Sequence, residues 1–280
     1  MQIVTSPTEL RQRMSELQPR TIGIVPTMGA LHAGHAGLIE TGRAGCQVLV
    51  VSIFVNPIQF NDRSDLEKYP RTWDEDLALC EKLGVDFVYA PSVEAMYPEG
   101  FQTTINVGSI SHGLCGAARP GHFNGMATVV LKLLNASQAS YAWFGEKDFQ
   151  QFRIVQQMTR DLDMGVEVIP VATVREVDDL ALSSRNMRLN VEQRKKAVIL
   201  NQTMKAMIKA AKNGEHEVSK LLEIGYGELA REKEVTLDYL EIVDSNNLKP
   251  LAILSNDARV LIAAQVGPVR LIDNMNISVG

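Results

Sequence analysis

Two histidines and a glycine carry the strongest chemical signal in the chain. In Pro26-Thr27-Met28-Gly29-Ala30-Leu31-His32-Ala33-Gly34-His35 the imidazoles stand three residues apart with Gly34 between them. Residues three apart share one face of a helical turn, so His32 and His35 can address one ligand together. Gly34 lacks the Cβ that would obstruct close approach. The decapeptide follows the apolar run Thr21-Ile22-Gly23-Ile24-Val25 and leads into Ala36-Gly37-Leu38-Ile39, which predicts strand, turn and helix. A helix N-terminus offers unpaired N–H groups and partial positive charge, so the layout suits an anion such as a phosphate. Two other readings exist for such a pair: polar residues on a solvated helix, or zinc ligands lacking the rest of their site. Zinc is the weaker, because Cys46, Cys80 and Cys115 are scattered and form no Cys-x-x-Cys pair.

Four further segments offer chemistry. In Phe54-Val55-Asn56-Pro57-Ile58-Gln59-Phe60, Asn56 and Gln59 bring amides into an apolar setting suited to a small hydroxy acid, although Asn-Pro is also a common turn starter. Arg119-Pro120-Gly121-His122-Phe123 offers a guanidinium, Arg119, that can meet an anion bidentately. Gly145-Glu146-Lys147-Asp148-Phe149-Gln150-Gln151 supplies Lys147 as a point charge for phosphate. Glu146 or Asp148 can accept ribose hydroxyls, and Asp148 equally suits a helix N-cap. In Val174–Asn186, the run Ser183-Ser184-Arg185 reads as a phosphate clamp or as a helix cap.

The elements that must position these residues alternate. Strand-like runs fall at 22–25, 48–55, 86–90, 139–144 and 166–171, with helical patterns near 38–44, 73–83, 127–135 and 149–162. This predicts an α/β fold, a Rossmann-like parallel sheet covered on both faces, with ligands bound outside the carboxyl ends of its strands. The stretch 91–124 interrupts the alternation with one strand-like run, 103–107, and a long loop of the kind that usually serves function. After about Asn186 the pattern changes to two charge-studded helices, 191–212 and 218–233, and three strand-like runs, 237–243, 259–264 and 269–272. A domain over 1–186 and a second, smaller α+β C-terminal domain over 187–280 are therefore expected.

Composition narrows the class. Of 280 residues 45% are apolar and 22% charged, ordinary for a globular chain with a sizeable core. The longest strongly apolar stretch, 48–55, is too short to span a bilayer, and charges stand where a signal peptide needs its apolar region. Unpatterned cysteines fit reduced thiols, so a cytoplasmic protein with no membrane partner is expected. A net charge of −5 argues against a nucleic-acid surface.

A strand followed by His-x-Gly-His and a helix is the arrangement of adenylate-forming and nucleotidyl-transferring enzymes that resemble class I aminoacyl-tRNA synthetases. Taken in order, the five motifs resemble the pantothenate synthetase (pantoate–β-alanine ligase) family over nearly the whole chain, through to Arg270-Leu271-Ile272-Asp273-Asn274. The resemblance implies ATP-dependent condensation of pantoate with β-alanine through a pantoyl adenylate, giving pantothenate, AMP and pyrophosphate. It also implies a homodimer and a C-terminal domain acting as a lid. By the same resemblance His32 and His35 donate to the reacting phosphates, and Lys147, Ser183, Ser184 and Arg185 hold the triphosphate and the departing pyrophosphate. Gln59 and Gln151 grip pantoate, with Asn56 and Met28 beside them. Met28, Gly145, Asp148, Val174 and Leu182 complete the ATP site. Mg2+ would bridge phosphates through water and nucleotide oxygens, so no dedicated protein metal site is expected.

Two departures stand out. Val177-Asp178-Asp179-Leu180 replaces a common Ala-Asp-Gly-Leu, and Leu114-Cys115-Gly116 a common Leu-Glu-Gly. If residue 179 needs positive φ, Asp tolerates it better than most residues. Losing the carboxylate at 115 is expected to alter loop or subunit contacts. The rival reading, a nucleotidyltransferase acting on a phosphate-bearing cosubstrate, explains the first motif but neither the Gln59 and Gln151 pair nor Ser183-Ser184-Arg185. A tRNA synthetase fits poorly with so short and acidic a chain. A regulatory protein that has lost catalysis fits poorly with phosphate-handling positions that are all filled.

Overall fold

Continuous apolar runs become strands buried on both faces, and the amphipathic stretches between them become the covering helices. The computed structural model describes residues 1–18 and 20–278; residues 19, 279 and 280, which fall in the two expected domain ranges, lie outside the described residues. The first part of the chain forms β1 (Gln2–Val4), α1 (Pro7–Glu16), β2 (Ile22–Thr27), α2 (Ala33–Gly45), β3 (Val48–Ile53), α3 (Arg63–Glu67) and α4 (Trp73–Lys82). There follow β4 (Phe87–Tyr89), α5 (Val93–Met96), α6 (Cys115–Ala118), α7 (His122–Ser137), β5 (Tyr141–Gly145), α8 (Phe149–Asp161) and β6 (Glu167–Val171). The six strands form one parallel sheet in the order β1-β4-β3-β2-β5-β6.

That order locates the crevice. From β2 the chain builds β3 and β4 on one side, then lays β5 and β6 on the other. Strand order reverses between β2 and β5, and in such sheets the ligand crevice opens at the carboxyl ends there. β2 ends at Thr27 and β5 at Gly145, so the His-x-Gly-His and Gly-Glu-Lys-Asp segments both start at the reversal. The register of α2 against the sheet is set by Trp143 of β5, which is 1% exposed. Its indole fills a slot floored by Gly23, Gly42 and Gly45, where an added Cβ would lie 2.3, 3.2 and 2.7 Å from the ring.

The remaining chain forms α9 (Val191–Ala197), α10 (Ile199–Lys212), α11 (Val218–Leu229) and an antiparallel sheet, β7 (Val235–Asp244), β8 (Ala258–Val266) and β9 (Val269–Asn276), in sequence order. This sheet buries both faces, and the two-residue period of strands divides its side chains between them. Leu240, Ile242, Val260, Ile262 and Leu271 pack with the helices. Val243, Leu261, Tyr239 and Ile272 join the core of the parallel-sheet part, with Phe149 and Phe152.

The α/β class and the small α+β part are as expected from the sequence, but several elements differ. β1 and α1 were not expected. The run 103–107 is not a strand; the Ile105 N–H donates to the Thr128 side-chain oxygen at 3.0 Å instead of joining a ladder. α7 starts earlier than the apolar pattern indicates, at His122 after Gly121 with φ of 81°. The expected single helix over 191–212 is two, broken at Val198.

Candidate active site

The turn after β2 is held from below. Gly29 and Ala30 both have positive φ, 80° and 52°. The carboxylate of Asp76, from α4 and only 2% exposed, accepts the Ala30 N–H at 2.9 Å and the Leu31 N–H at 2.7 Å. This delivers His32 as the N-cap of α2. Its Nδ1 accepts the Gly34 N–H at 3.1 Å, and the ring lies so close over Gly34 that a Cβ there would sit 2.9 Å from His32 Cε1. His35 Nδ1 accepts the His32 N–H at 3.3 Å. With both Nδ1 atoms accepting, the proton of each neutral ring sits on Nε2. Neutrality is enforced: burial, then the neighbouring His32 and Lys147, push His35 down to about 3. Burial and Lys147 lower His32 as well. The pair therefore presents two neutral N–H donors rather than imidazolium ions.

Gln59 is fixed from two sides. Its Oε1 accepts from Asn56 Nδ2 at 2.9 Å, while Asn56 Oδ1 accepts from the Tyr97 hydroxyl at 2.7 Å. Asn56 is fully buried, lines neither of the two cavities described below, and bonds to the Gln59 side chain so as to set its amide orientation. Gln59 Nε2 donates to the Met28 sulfur at 2.9 Å, a weak acceptor that an incoming oxygen displaces readily. Below, His122 Nδ1 donates to the Gln59 carbonyl at 2.7 Å, and its Nε2 accepts from Arg119 at 3.1 Å. Burial and then Arg119 push His122 down to about 4.

The cationic side comes from two other segments. In the turn after β5, Lys147 Nζ lies 3.6 Å from the Asp148 carboxylate. Asp148 opens on the cavity yet is crowded by protein; that desolvation would raise its carboxyl, but Lys147, Arg185 and His122 outweigh it and hold it low. It makes no side-chain capping bond to α8, so the capping reading falls away. Ser183 Oγ does cap, accepting the Arg185 N–H at 3.2 Å. Arg185 and Arg188 share the carboxylate of Asp65, at 3.2 and 2.7 Å. Burial would raise Asp65, but the two arginines hold it low.

Met28, His32, His35, Gln59, Gly145, Lys147, Asp148, Gln151, Val174, Leu182, Ser183, Ser184 and Arg185 all line one cavity of about 200 Å3 at the strand-order reversal. A second cavity of about 340 Å3 shares Lys147, Asp148, Gln151, Ser183 and Arg185 with the first and adds Arg119 and β9 residues. Of the adjacent glutamines only Gln151 reaches the first cavity. Gln150 turns away to hold the long loop through Cys115 N, Ile110 O and Gly113 O. Among the described residues no group of three or more His, Cys, Asp or Glu is placed to hold a metal ion.

Residues that the sequence reading missed act behind the site. Asp76 lies in the acidic run Asp74-Glu75-Asp76 at a helix start, where nothing distinguishes it from its neighbours. Asp65 and Asn274 give no local signal. The two departures also resolve. Asp179 does take positive φ, 69°, and its carboxylate meets Lys205 at 2.5 Å. Cys115 is buried, with its sulfur 3.2 Å from the Tyr239 hydroxyl and 3.6 Å from both terminal nitrogens of Arg270. A thiol thus stands between the long loop and the small sheet.

Comparison with known proteins settles the family. The profile of the pantoate–β-alanine ligases matches residues 2–276. The chain belongs to the pantoate–β-alanine ligase family. It is 50% identical over 264 residues to the pantothenate synthetase of Deinococcus radiodurans, covering 92% of this chain and 94% of that one. The structure is similar to that of pantothenate synthetase from Thermus thermophilus, with a TM-score of 0.95, 45% identity and coverage of 99% and 100%. It is also similar, at a TM-score of 0.83 and 34% identity over 98% and 97% of the chains, to a Francisella tularensis pantoate–β-alanine ligase complexed with β-γ ATP and β-alanine. Such full-length agreement supports ATP-dependent pantoate–β-alanine ligation and does not favour the nucleotidyltransferase alternative.

Proposed function

We propose that the two joined cavities perform the family's ligation of pantoate to β-alanine in two steps, with ATP activating the acid. In the first, a pantoate carboxylate oxygen attacks the α-phosphorus of ATP and the bond to the β-phosphate breaks, releasing pyrophosphate. In the second, the β-alanine amine attacks the carbonyl carbon of the adenylate, loses a proton, and AMP leaves. Neither step needs a nucleophile from the protein; both need alignment and donors aimed at developing charge.

The observation that carries this reading is the meeting of two kinds of donor on one small cavity. The neutral imidazoles of His32 and His35 line the same cavity as the charged Lys147 and Arg185. In this reading the histidines donate to the α-phosphate oxygens as charge spreads over them. Lys147, Ser183, Ser184 and Arg185 take the β- and γ-phosphates and the leaving diphosphate. Gln59 gives its Nε2–H to pantoate in place of the Met28 sulfur, and Gln151 grips the other end. Gly145, Asp148, Val174 and Leu182 border the adenosine. Arg119, on the second cavity, is the anion contact facing the entry of the amine substrate. The Francisella relative complexed with β-γ ATP and β-alanine supports both ligands.

Magnesium enters as part of the nucleotide substrate. The ion would be held mainly through the nucleotide it accompanies and would supply charge neutralisation at the phosphates. We further assign residues 187–280 as a lid over the chain's first 186 residues, which would keep water from the mixed anhydride, and a homodimeric, cytoplasmic enzyme. Free thiols at Cys46, Cys80 and Cys115 suit a reducing compartment. No described helix is long and apolar enough to cross a membrane. The test is product analysis with pantoate, ATP, Mg2+ and β-alanine. Pantothenate, AMP and pyrophosphate in equal amounts are expected, with no reaction when pantoate or ATP is omitted and no turnover beyond the bound adenylate and its pyrophosphate when β-alanine is omitted. Formation of ADP, or of AMP without pantoate, overturns the reading.

A further inference from the structure

The segment Arg270–Asn274 is part of the family resemblance, yet the reaction above uses none of it. The alternation of β9 puts Arg270, Ile272 and Asn274 on one face, and all three line the second cavity. Asn274 is 5% exposed, and its side-chain amide nitrogen donates to the carbonyls of both Glu146 and Lys147 at 2.9 Å each. Both protons of one amide are thus spent on the turn that carries Lys147. Asp273, 4% exposed, holds the backbone of Asn274: its Oδ1 accepts the Asn274 backbone N–H at 2.7 Å while its two oxygens take Arg175 at 2.7 and 2.9 Å. Arg175 belongs to the segment leading to Ser183-Ser184-Arg185 and also holds the Asp179 carbonyl at 3.0 Å. On the neighbouring strand, the Arg259 guanidinium lies 3.8 Å over the Phe149 ring and 3.3 Å from the Glu146 carboxylate, closing the other side of the same turn.

We infer that Asn274, seated by Asp273, is a positioning residue that fixes Lys147 for adenylate formation, so that the small sheet builds half of the phosphate site rather than merely covering it. The inference rests on the role proposed for Lys147. Asn274 acts on the backbone of Lys147, so its loss lets the ammonium drift from the phosphates while the pantoate contacts at Gln59 and Gln151 stay in place. A misplacement of about 1 Å is enough to cost on the order of a hundredfold in rate.

The experiment is a double-mutant cycle on Asn274→Ala and Lys147→Ala, read by pantoate-dependent exchange of labelled pyrophosphate into ATP with Mg2+ in the full chain. Asn274→Ala is expected to lower the maximal exchange rate by about tenfold or more, the scale of a displaced catalytic group, with the KM for pantoate nearly unchanged. In the Lys147→Ala background the same change should cost almost nothing further. Asn274→Asp keeps the shape but sets carboxylate oxygens against the two carbonyls; it should lose as much as Ala, and it carries the cycle if Asn274→Ala does not fold. Losses that multiply in the double variant, or a rate unchanged by both Asn274 substitutions, overturn the positioning role while leaving Lys147 in place. Wild-type exchange by Lys147→Ala would instead remove Lys147 from the reaction, and the inference with it.

Discussion

The histidine and glutamine side of the site is held within the parallel-sheet part, whereas the backbone that carries Lys147 and leads to Arg185 is also tied across the junction between sheets. His32 and His35 stand on a turn pinned by Asp76, and Gln59 is locked by Asn56 and His122, all from the parallel-sheet part. Lys147 and the 174–185 segment are tied instead to Asn274 and Asp273 on β9. The difference separates two electrostatic tasks. Neutral donors are preorganised and cost no reorganisation, which is where such donors are most effective. Of the positive charges proposed to face a diphosphate, Lys147 is seated where the two sheets meet, while Arg185 is also anchored by Asp65 of α3.

Four expected outcomes break or sharpen that contrast. The largest falls on the preorganised side. His35→Ala should slow pantoate-dependent pyrophosphate exchange by about two or more powers of ten, the scale for losing one transition-state donor, with little change in thermal midpoint. Near-wild-type turnover would remove His35 from the chemistry. Asp76→Ala, which strips the acceptor from two buried N–H groups, should cost about 2–3 kcal/mol of stability in denaturant titration and slow exchange as well. A stable variant with normal rates would show that the turn does not depend on its carboxylate.

Gln151→Ala should raise the KM for pantoate by about tenfold, the equivalent of one net hydrogen bond of about 1.4 kcal/mol, and leave the ATP dependence near its starting value. An unchanged pantoate dependence would take Gln151 out of the binding site. The smallest effect is in pH. His35, at about 3, and His122, at about 4, lie below the ordinary 6.5, so the unfolded chain binds more protons in that interval. Their contribution to stability is full above about 6.5 and is lost as pH falls toward 4. Thermal midpoints should follow that course, while the exchange rate should show no histidine-like inflection near 6.5. A rate that climbs as pH drops from 7 to 5.5 would indicate working imidazolium ions and contradict the neutral pair.

Much of this was legible in the sequence because it is local. Strands β2, β3 and β5 announce themselves as apolar runs, and each site motif follows directly in the chain. The glycine common at position 179 in the family raised the question of a positive φ there, and the structure answers it at 69°. What escaped depends on distant partners or on very short elements. β1 has three residues, too few for a periodic pattern. The run 103–107 has strand composition, but no ladder passes beside it; a threonine side chain from α7 takes its N–H instead. Asn56 was read as a substrate contact, and its buried bonds to Gln59 and Tyr97, which no local pattern announces, show that it also orients the Gln59 amide. Asp76 and Asn274 meet their partners from 46 and 127 positions away, distances at which side-chain type alone carries no address.

The most direct measurement is exchange of labelled pyrophosphate into ATP with Mg2+, in the presence and absence of pantoate and without β-alanine. Exchange that requires pantoate is predicted, because the proposed reaction forms and reverses an acyl adenylate before the amine arrives. Absence of exchange in folded protein that still binds ATP would contradict a reversible adenylate and the division of labour between the two sides of the site.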